Sequence, residues 1–405
     1  MSISLPNHRH TTAVIHLDHL SHNYHLLKGA IDPDLFFCPM IKANGYGHGD
    51  VEIALRLQKE GVQTMGVGLI EEGLLLRENG VNSELLVFGI FDQAGAREII
   101  KWNFTPVLSL WEQIDTLEQL AEKPVSVHLK FDTGMHRLGF VWGDAQKLFE
   151  RLNRSSKIKV KGICTHLHTA EDMVSLGGKS EEQLERFGEV ERIFAPLRPI
   201  SHSLNSAGLM SFIHLQKQNA EKGIHVTLNQ GVRPGLALYG YSPLPPAQSH
   251  LDLKPVMSLR SQVVRYHTLQ KGEGASYNHT WKAKRPTILA VIPIGYADGY
   301  HRLLSNKAEV LFDGVRVPLV GNVCMDYVMA DVTDVVQKKS LSPYQNQEVT
   351  LFGYDSKGNL LPASELAQKS QTITWEILTS IGERVPRSIQ AEKSKVESQK
   401  KEVSQ

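Results

Sequence analysis

A lysine at the end of an apolar stretch is the first residue in this sequence that could do chemistry. Lys42 follows Pro39-Met-Ile and precedes the glycine-containing run Ala-Asn-Gly-Tyr46-Gly-His48-Gly. In a parallel α/β barrel the carboxyl ends of the strands form the active-site face. A lysine that is partly desolvated there has a lowered pKa and can form a Schiff base with a carbonyl group. On residue types alone, the alternative is a lysine that snorkels to the surface beside a glycine turn.

Short β-branched runs alternate with helical patterns from about residue 13 to residue 240, and these elements must position the lysine. The predicted strands are Ala13–Asp18, Leu35–Lys42, Thr64–Leu69, Glu84–Gly89, Val125–Asp132 and Val160–His166. Such repetition predicts a parallel sheet covered by helices. A closed barrel of eight strand–helix units and an open doubly wound sheet both satisfy the pattern, so periodicity does not choose between them.

Two amphipathic stripes indicate helices between these strands. In Asp144–Asn153, apolar residues recur at i, i+3, i+4 and i+7, and Asp144 is placed to cap the first turn. Further along the chain, Leu184, Phe187, Val190 and Phe194 form a second stripe. Each stripe predicts one helix face packed against the sheet.

The pattern changes after Pro243-Leu-Pro-Pro. Strands now follow one another without intervening helices, and they are Val256–Arg265, Thr287–Ile294, Ala308–Phe312, Val315–Leu319 and Glu348–Gly353. Asp313-Gly314 predicts a two-residue hairpin, because a type I′ turn needs positive φ at both positions. The sequence therefore predicts a barrel or sheet domain over residues 1–245 and a mostly β domain over 246–388. Residues 389–405 are nearly all Lys, Glu, Ser and Gln, which predicts a disordered charged tail.

Composition narrows the class of protein. Lys plus Arg number 44 and Asp plus Glu number 43, for a net charge of +1, so the chain lacks the basic excess of a nucleic-acid clamp. No apolar run approaches the roughly 20 residues that span a membrane, and the first residues have no signal-peptide pattern. The three cysteines are odd in number and widely spaced. We expect a soluble, cytoplasmic protein long enough to be an enzyme.

Several histidines are close enough in sequence to suggest a metal site. They are His16, His19, His22 and His25, which lie three apart, and the neighbouring pair His166 and His168. A metal site would need converging ligands with carboxylate or cysteine support, and the sequence does not reveal such support. We therefore predict no metal site, with the first group spanning a strand end and the solvated face of a helix.

Motifs distributed along almost the whole chain up to the tail resemble those of the alanine racemase family. The run from Lys42 to Gly49 is similar to the pyridoxal-phosphate lysine motif of that family. The other motifs, in family order, are Lys130-Phe-Asp-Thr-Gly-Met-His-Arg137-Leu-Gly, Thr165-His166, Asn205-Ser206-Ala207, Arg233-Pro-Gly-Leu-Ala-Leu-Tyr-Gly, Ser276-Tyr277, Gly295-Tyr296-Ala-Asp-Gly-Tyr, Cys324-Met325-Asp326 and Glu383-Arg-Val-Pro-Arg. The resemblance implies an α/β fold in which an N-terminal (β/α)8 TIM-type barrel precedes a C-terminal mostly β domain.

The resemblance also assigns the acid–base groups. Lys42 would carry pyridoxal 5'-phosphate as a Schiff base, and Tyr277 would act on the opposite face of the cofactor. Racemisation needs two such groups, because one face must lose the α-proton and the other must receive one. His166 would link Tyr277 to Arg233, which would face the pyridine nitrogen. Because an arginine only donates, it would leave that nitrogen unprotonated and weaken the ring as an electron sink, which disfavours transamination and decarboxylation.

Family matches place the cofactor phosphate near Tyr46, Asn205, Ser206 and the backbone amides of Gly235 and Leu236. Glycine at position 235 lets the backbone approach the phosphate closely. One residue departs from the family pattern. Trp375 stands where the family usually has a tyrosine that donates its hydroxyl toward the phosphate, and an indole N–H projects differently and cannot accept. We expect a modestly rearranged phosphate end with weaker cofactor retention.

The substrate side is assigned in the same way. Arg137 is similar to the arginine near the substrate carboxylate, Met325 to the residue whose amide contacts that group, and Tyr296 to the tyrosine that narrows the entrance. Lys130 matches a lysine that is carbamylated in some members. In the family, Tyr277, Tyr296 and Met325 reach the active site of the other protomer, so a homodimer is implied.

The resemblance implies an alanine racemase activity, which interconverts L- and D-alanine and supplies D-alanine for peptidoglycan. Three alternatives remain at this point. A broad-specificity amino-acid racemase shares the fold and differs in the pocket around Tyr296 and Met325. A non-catalytic pyridoxal-phosphate carrier is a single barrel, and residues 246–388 with Tyr277 argue against it. A pyridoxal decarboxylase shares the two-domain plan, but its cysteine and acidic-substrate motifs are not evident.

Overall fold

Two units of structure make up the fold. The computed structural model describes four stretches of the chain, which are residues 8–172, 178–220, 228–340 and 347–390. One unit comprises Ser21–Lys254, and the other combines Met1–Leu20 with Pro255–Gln405. We call them the barrel unit and the β unit.

Parallel strands form the centre of the barrel unit. In the part of this unit that the structure describes, seven strands pair in the order in which they occur along the chain, and they are Thr64–Val67, Glu84–Val87, Thr105–Leu108, Val125–Asp132, Ile158–Cys164, Ile200–Leu204 and Gly231–Val232. A short strand, Phe140–Val141, pairs alongside Val125–Asp132. This order is typical of a parallel α/β barrel, in which each strand neighbours the one before it.

One irregular segment closes the ring of barrel strands. Phe37 forms a parallel bridge with Val232, and Met40 forms one with Gly66, so residues 37–40 join the last strand to the first. The closed (β/α)8 barrel is therefore confirmed, and the open-sheet alternative is excluded. The prediction of a regular strand over Leu35–Lys42 is wrong. Pro39 has no N–H to donate to a ladder, so this segment makes single bridges instead.

Helices surround the barrel strands. They are Leu17–Gly29, which starts in the β unit, then Asp50–Lys59, Ile70–Glu78, Gln93–Lys101, Trp111–Leu120, Ala145–Asn153, Lys179–Phe194 and Ser206–Ala220. Both predicted stripes face the core, since Leu148, Phe187 and Phe194 are fully buried. Asp144 precedes its helix but its side chain makes no capping hydrogen bond. A 3₁₀ turn at Trp142–Asp144 leads directly into the helix and replaces the predicted cap.

Among the described residues of the β unit there are three antiparallel or mixed sheets. The largest sheet has the strand order Val315–Pro318, Glu309–Phe312, Glu348–Tyr354, Met257–Gln262, Thr12–Ile15 and Arg387–Ile389, and Leu360–Leu361 pairs alongside Glu348–Tyr354. The second sheet contains Arg265–Leu269, Thr287–Ile292 and Val328–Asp331. The third sheet pairs Gly274–Ala275 with Trp281–Lys282. Asp313 and Gly314 have φ values of 51° and 81°, so the predicted type I′ hairpin is confirmed.

The β unit differs from expectation in three ways. Thr12–Ile15 pairs with Met257–Gln262 and Arg387–Ile389, so this strand belongs to the β unit and not to the barrel unit. The predicted strand Val256–Arg265 is interrupted after Gln262, and Arg265 starts a strand in another sheet. Short helices also occur between the strands, and they are Thr333–Lys339, Ala363–Lys369 and Thr374–Thr379.

The chain terminus was expected to be a tail from residue 389. Ile389 instead pairs with Ile15, and the N–H of Gln390 donates to the carbonyl of Ile15 at 2.9 Å. Residues 391–405, which make up the rest of the predicted tail, lie outside the described residues. Among the described helices, none combines the length and the apolar character that crossing a membrane requires.

Candidate active site

Lys42 begins a left-handed turn at the end of the closing segment. Ala43, Asn44, Gly45 and Tyr46 all have φ between 54° and 58°. For a residue other than glycine, a left-handed helical conformation costs roughly 1–2 kcal/mol. Such a turn persists only when the surrounding structure holds it, and strained backbone of this kind concentrates at functional sites.

Glu72 secures the start of this turn. Its Oε1 accepts from the N–H of Ala43 at 2.6 Å, and its Oε2 accepts from the N–H groups of Gly68 and Leu69 at 2.7 and 3.0 Å. One carboxylate therefore joins the backbone beside Lys42 to the loop after strand Thr64–Val67. The position of the lysine depends on this connection between two neighbouring strand ends.

Aromatic residues secure the end of the turn. Nδ1 of His48 lies 3.0 and 2.9 Å from the carbonyls of Gly45 and Tyr46, and because carbonyls only accept, that nitrogen carries the proton. The rings of Tyr46 and Tyr239 stack at 4.8 Å, and the Tyr239 hydroxyl donates to the carbonyl of Met40 at 3.1 Å. The turn is thus held from both sides.

Lys42 lies among positive charges. Desolvation by the surrounding protein lowers the pKa of Lys42, and Arg137 and Arg233 lower it further, while Glu72 opposes them. Desolvation also lowers the pKa of Lys130. A neutral amine is the nucleophilic form of lysine, so this environment favours covalent chemistry at Lys42.

His166 is neutral in the same environment. Desolvation is the largest cause that lowers its pKa to about 3, followed by the charges of Arg233 and Arg137. Its backbone carbonyl accepts from the side-chain amide of Gln183 at 3.2 Å. A neutral imidazole has one donor and one acceptor nitrogen, which is what a hydrogen-bonded link between two other groups requires.

Arg233 is buried in the barrel unit and is held by several acceptors. Its Nη1 donates to Nδ1 and to the carbonyl of His202 at 2.6 and 2.7 Å. Its Nη2 donates to the carbonyls of Thr165 and Ser203 at 2.7 and 3.2 Å. The planar guanidinium is therefore fixed in position and orientation before any ligand binds.

A polar cradle lies where helix Ser206–Ala220 begins. The Ser206 hydroxyl accepts from the N–H groups of Gly235 and Ala237 at 2.9 and 3.2 Å. A Cβ on Gly235 would lie 2.2 Å from the hydroxyl oxygen of Tyr46, so only glycine fits. Burial raises the pKa of Tyr46 to about 12, so its hydroxyl stays protonated and can donate. A helix N-terminus with nearby hydroxyl groups fits a phosphate group.

Asn205 caps this helix, because its Oδ1 accepts from the N–H of Gly208 at 3.0 Å. Trp375 is half-buried in helix Thr374–Thr379 of the β unit. Asn205 therefore has a structural role in the cradle, and its predicted contact with cofactor stays a prediction. The predicted effect of Trp375 on the phosphate end stays a prediction as well.

An exposed aromatic face distinguishes the β unit. Tyr277, Tyr296 and Met325 are 69%, 43% and 53% exposed. Their loops are tied together, since the N–H of Tyr296 donates to the carbonyl of Cys324 at 3.0 Å and the side-chain amide of Asn322 donates to the carbonyl of Tyr277 at 3.0 Å. The structure thus brings these three predicted site residues to one surface of the β unit.

The predicted residues divide between the two units. The barrel unit holds Lys42, Tyr46, Lys130, Arg137, His166, Asn205, Ser206, Arg233, Gly235 and Leu236, and the β unit holds Tyr277, Tyr296, Met325 and Trp375. Arg137 is exposed, and it acts on Lys42 and Lys130 through its charge.

Sequence reasoning missed three polar residues that position this site. Glu72 holds the Lys42 turn, and His202 contacts Arg233 directly. His128 contacts His202, with 2.7 Å between Nδ1 of His128 and Nε2 of His202. The glutamate follows an N-cap position by three residues, which is a recognisable helix-start signal. A histidine inside an apolar strand is a weaker signal for a buried polar contact.

The N-terminal histidines are closer together than the sequence suggested. The ligand atoms of His16, Asp18 and His19 lie within 4.8 Å of one another. Nε2 of His16 is 2.8 Å from the hydroxyl of Ser258, and Nδ1 of His19 is 2.8 Å from the carbonyl of Pro255. These contacts engage one nitrogen of each ring in the β unit.

Comparisons with known proteins identify the same family in both parts of the chain. Residues 15–243 match the model of the alanine racemase N-terminal domain, and residues 256–389 match that of the C-terminal domain. The alanine racemase of Sorangium cellulosum (strain So ce56) is 36% identical over 397 residues, which cover 94% of this chain and 98% of the relative.

Solved structures show the same architecture. An alanine racemase from Bacillus anthracis with bound L-Ala-P has a TM-score of 0.82 at 28% identity, covering 96% of this chain and 97% of that one. An alanine racemase from Bartonella henselae with covalently bound pyridoxal phosphate has a TM-score of 0.78 at 30% identity, covering 95% of this chain and 100% of that one.

Proposed function

The chain belongs to the alanine racemase family and is an isomerase, a racemase of alanine, and on that premise we propose how its residues perform the reaction. The proposed cofactor is pyridoxal 5'-phosphate held in the barrel unit. The observation that carries this proposal is the placement of Lys42, with its lowered pKa, in the same unit as the polar cradle at Ser206 and Gly235. When bound, the cofactor supplies an electron sink that makes the α-proton of the amino acid acidic.

Lys42 and Tyr277 are the proposed acid–base pair. Because its surroundings favour the neutral amine, Lys42 can hold the cofactor covalently and can accept a proton. Tyr277 would exchange the proton on the opposite face. Arg233, fixed by its contacts to His202 and Thr165, would donate to the pyridine nitrogen and keep it unprotonated. His166 would link Tyr277 to Arg233.

The phosphate would bind in the cradle. The Tyr46 and Ser206 hydroxyls and the amides of Gly235 and Leu236 are the proposed donors. Asn205 would maintain the cradle by capping the helix that starts there. Trp375 replaces a tyrosine donor in this proposal, so we expect fewer donors to reach the phosphate.

The substrate carboxylate would bind between Arg137 and the amide of Met325, with Tyr296 at the entrance. Desolvation lowers the pKa of the buried Lys130, which favours the neutral amine that reacts with carbon dioxide. We therefore include a carbamylated Lys130 that would hold the nearby Arg137 by opposite charge. Both assignments rest on the family motifs and on the proximity of these charges in the barrel unit.

A homodimer is the proposed assembly. Apolar residues in loops that follow barrel strands, Leu69, Ile90 and Leu110, are 56%, 53% and 36% exposed. The β unit exposes its own aromatic face at Tyr277 and Tyr296. Exposed apolar surface of this kind marks interaction sites, and a second copy of the chain would cover both. We further propose a cytoplasmic location and a role in supplying D-alanine for peptidoglycan, in keeping with three free cysteines and the family resemblance.

Proton exchange in heavy water tests the proposal. Purified protein is incubated with L-alanine and pyridoxal phosphate in D₂O, and α-deuterium is followed by NMR while the enantiomers are separated by chiral chromatography. We expect deuterium to appear together with D-alanine, and both to be lost in Lys42→Ala but retained in Lys123→Ala, which changes an exposed lysine. Protein that binds the cofactor but gives neither product would contradict the proposed chemistry. Parallel assays with lysine and arginine measure substrate breadth.

A further inference from the structure

Two buried histidines extend the contacts of Arg233 into the interior of the barrel. His202 places Nδ1 at 2.6 Å from Nη1 of Arg233 and Nε2 at 2.7 Å from Nδ1 of His128. Both imidazoles are fully buried, and Arg233 is only 5% exposed. The three side chains form a continuous hydrogen-bonded row, which we call the Arg233–His202–His128 row.

Arg233 dictates where the protons lie in this row. A guanidinium can only donate, so Nδ1 of His202 must accept and its proton must be on Nε2. That N–H then donates to Nδ1 of His128, which places the His128 proton on its own Nε2. Nε2 of His128 is buried and has no hydrogen-bond partner among the residues that the structure describes, so the row ends there.

Both histidines are neutral near pH 7. Burial is the largest cause that lowers the pKa of His202, and Arg233 adds to it. Burial likewise lowers the pKa of His128 to about 4. Three charges act on His128: Glu84 raises its pKa, and Lys161 and Arg233 lower it, with Glu84 and Lys161 forming an ion pair at 2.6 Å.

Glycines in adjacent strands make room for the two rings. A Cβ on Gly162 would lie 2.3 Å from Nδ1 of His128. A Cβ on Gly231 would lie 2.9 Å from Cβ of His202 and the same distance from Cβ of Phe36. Real Cβ atoms do not approach this closely, so strands Ile158–Cys164 and Gly231–Val232 both depend on glycine at these points. The space for the row is built into the barrel.

We propose that His128 is a positioning residue of the racemase, which holds Arg233 in place by fixing the tautomer of His202. This inference rests on the proposed role of Arg233 toward the pyridine nitrogen. Without an acceptor at position 128, the Nε2–H of His202 would be buried and unpaired, which is costly. Losing that hydrogen bond would destabilise the tautomer in which Nδ1 of His202 accepts from Arg233, so the contact between Arg233 and His202 would weaken.

Two variants of similar size separate hydrogen bonding from packing. Asn and Leu are both branched at Cγ, but only Asn has an oxygen there that can accept a hydrogen bond near the position of Nδ1. We expect His128→Leu to raise the dissociation constant of pyridoxal phosphate roughly tenfold, the order of one lost buried hydrogen bond, and to shift the pH midpoint of the visible band of the bound cofactor. His128→Asn should stay close to the wild type in both measurements. Equal behaviour of the two variants would overturn the proposal.

The histidine tautomer gives a second, independent measurement. Long-range ¹H–¹⁵N spectra are recorded on ¹⁵N-histidine-labelled wild-type protein without cofactor, and His202 is assigned by comparison with His202→Gln. We expect His202 to be unprotonated at Nδ1 and protonated at Nε2. The opposite tautomer would overturn the proposal even if His128→Leu failed to fold. Wild-type protein that neither binds the cofactor nor racemises alanine would contradict the proposed function, while the tautomer would still decide the role of His128.

Discussion

The Lys42 region of the barrel unit and the aromatic face of the β unit are built in opposite ways. Around Lys42 the chain supplies its own support, because Glu72 holds the left-handed turn and buried acceptors hold Arg233. On the β unit, Tyr277 and Tyr296 extend from tied loops toward solvent. The surroundings of Lys42 are therefore preorganised by contacts within the barrel unit. On the β unit, hydrogen bonds between loops place the backbone, and in the dimer that we propose a second copy would surround the exposed side chains.

The largest expected effect comes from removing the hydroxyl of Tyr277. Tyr277→Phe should lower kcat by about 10²–10⁴-fold, the usual contribution of a general acid or base. Because the side chain is 69% exposed, the free energy of unfolding should change by less than about 0.5 kcal/mol. Racemisation rates and urea denaturation measure the two quantities.

Tyr327→Phe is the matched control for this variant, since Tyr327 is also an exposed tyrosine of the β unit, 49% accessible. Its kcat should equal that of the wild type. If both variants lost the same activity, the hydroxyl of Tyr277 would have no special role, and the comparison between the two regions would fail on the β-unit side.

A smaller effect is expected from filling the cradle of the barrel unit. Gly235→Ala would place a Cβ 2.2 Å from the hydroxyl oxygen of Tyr46. We expect the affinity for pyridoxal phosphate to fall by about 1–3 kcal/mol, the usual cost of overpacking. Equilibrium titration monitored by absorbance measures it. Gly143→Ala, whose Cβ would meet no atom within 4 Å, should leave the affinity unchanged.

Acid should weaken the barrel unit through its neutral histidines. The pKa of His128 is lowered to about 4 and that of His166 to about 3, both below the ordinary value of 6.5. The unfolded chain therefore binds more protons below that value, and stability falls as the pH falls from about 6.5 to about 4. Each such histidine contributes up to about 1.4 kcal/mol per pH unit.

Chemical denaturation at about pH 7.5 and about pH 5.5 measures this loss, and His128→Asn should flatten the pH dependence. A free energy of unfolding that is the same at both pH values would show that these histidines are not held neutral in the folded protein.

The smallest expected effect is at Trp375. Restoring the hydroxyl donor with Trp375→Tyr should tighten pyridoxal-phosphate binding by about 1 kcal/mol, or about fivefold. Trp102→Tyr, a change at a half-buried tryptophan on the barrel unit, should have no effect on this affinity. An affinity that Trp375→Tyr leaves unchanged would contradict the predicted rearrangement of the phosphate end.

The periodicity of the sequence was sufficient for the two helices with amphipathic stripes and for the Asp313-Gly314 hairpin, because each depends on residues close together in the chain. It was insufficient for Thr12–Ile15, since a short β-branched run does not reveal which sheet it will join. The closing segment was misjudged for a related reason. Its pairing is decided by Pro39 and by strands that are distant in sequence.

The candidate site, like the fold, could be predicted from the sequence only in part. Lys42 and its glycine-containing turn were visible as a motif, but positive φ at Ala43, Asn44 and Tyr46 was not, because none of these residues requires it. The contact between His128 and His202 joins residues 74 apart in the chain. The two histidines come together only when the barrel closes. Their contact therefore could not be predicted from the sequence pattern and is found only in the structure.

Mixed dimers test most directly the claim that the two regions complete one another across two copies. Differently tagged Lys42→Ala and Tyr277→Phe chains are produced together, and the mixed species is isolated by both tags. If each site takes Lys42 from one copy and Tyr277 from the other, one site per mixed dimer is intact, and the activity should be about half that of the wild-type dimer. If mixed dimers are as inactive as the two single variants, the site is completed within one chain and the account is contradicted.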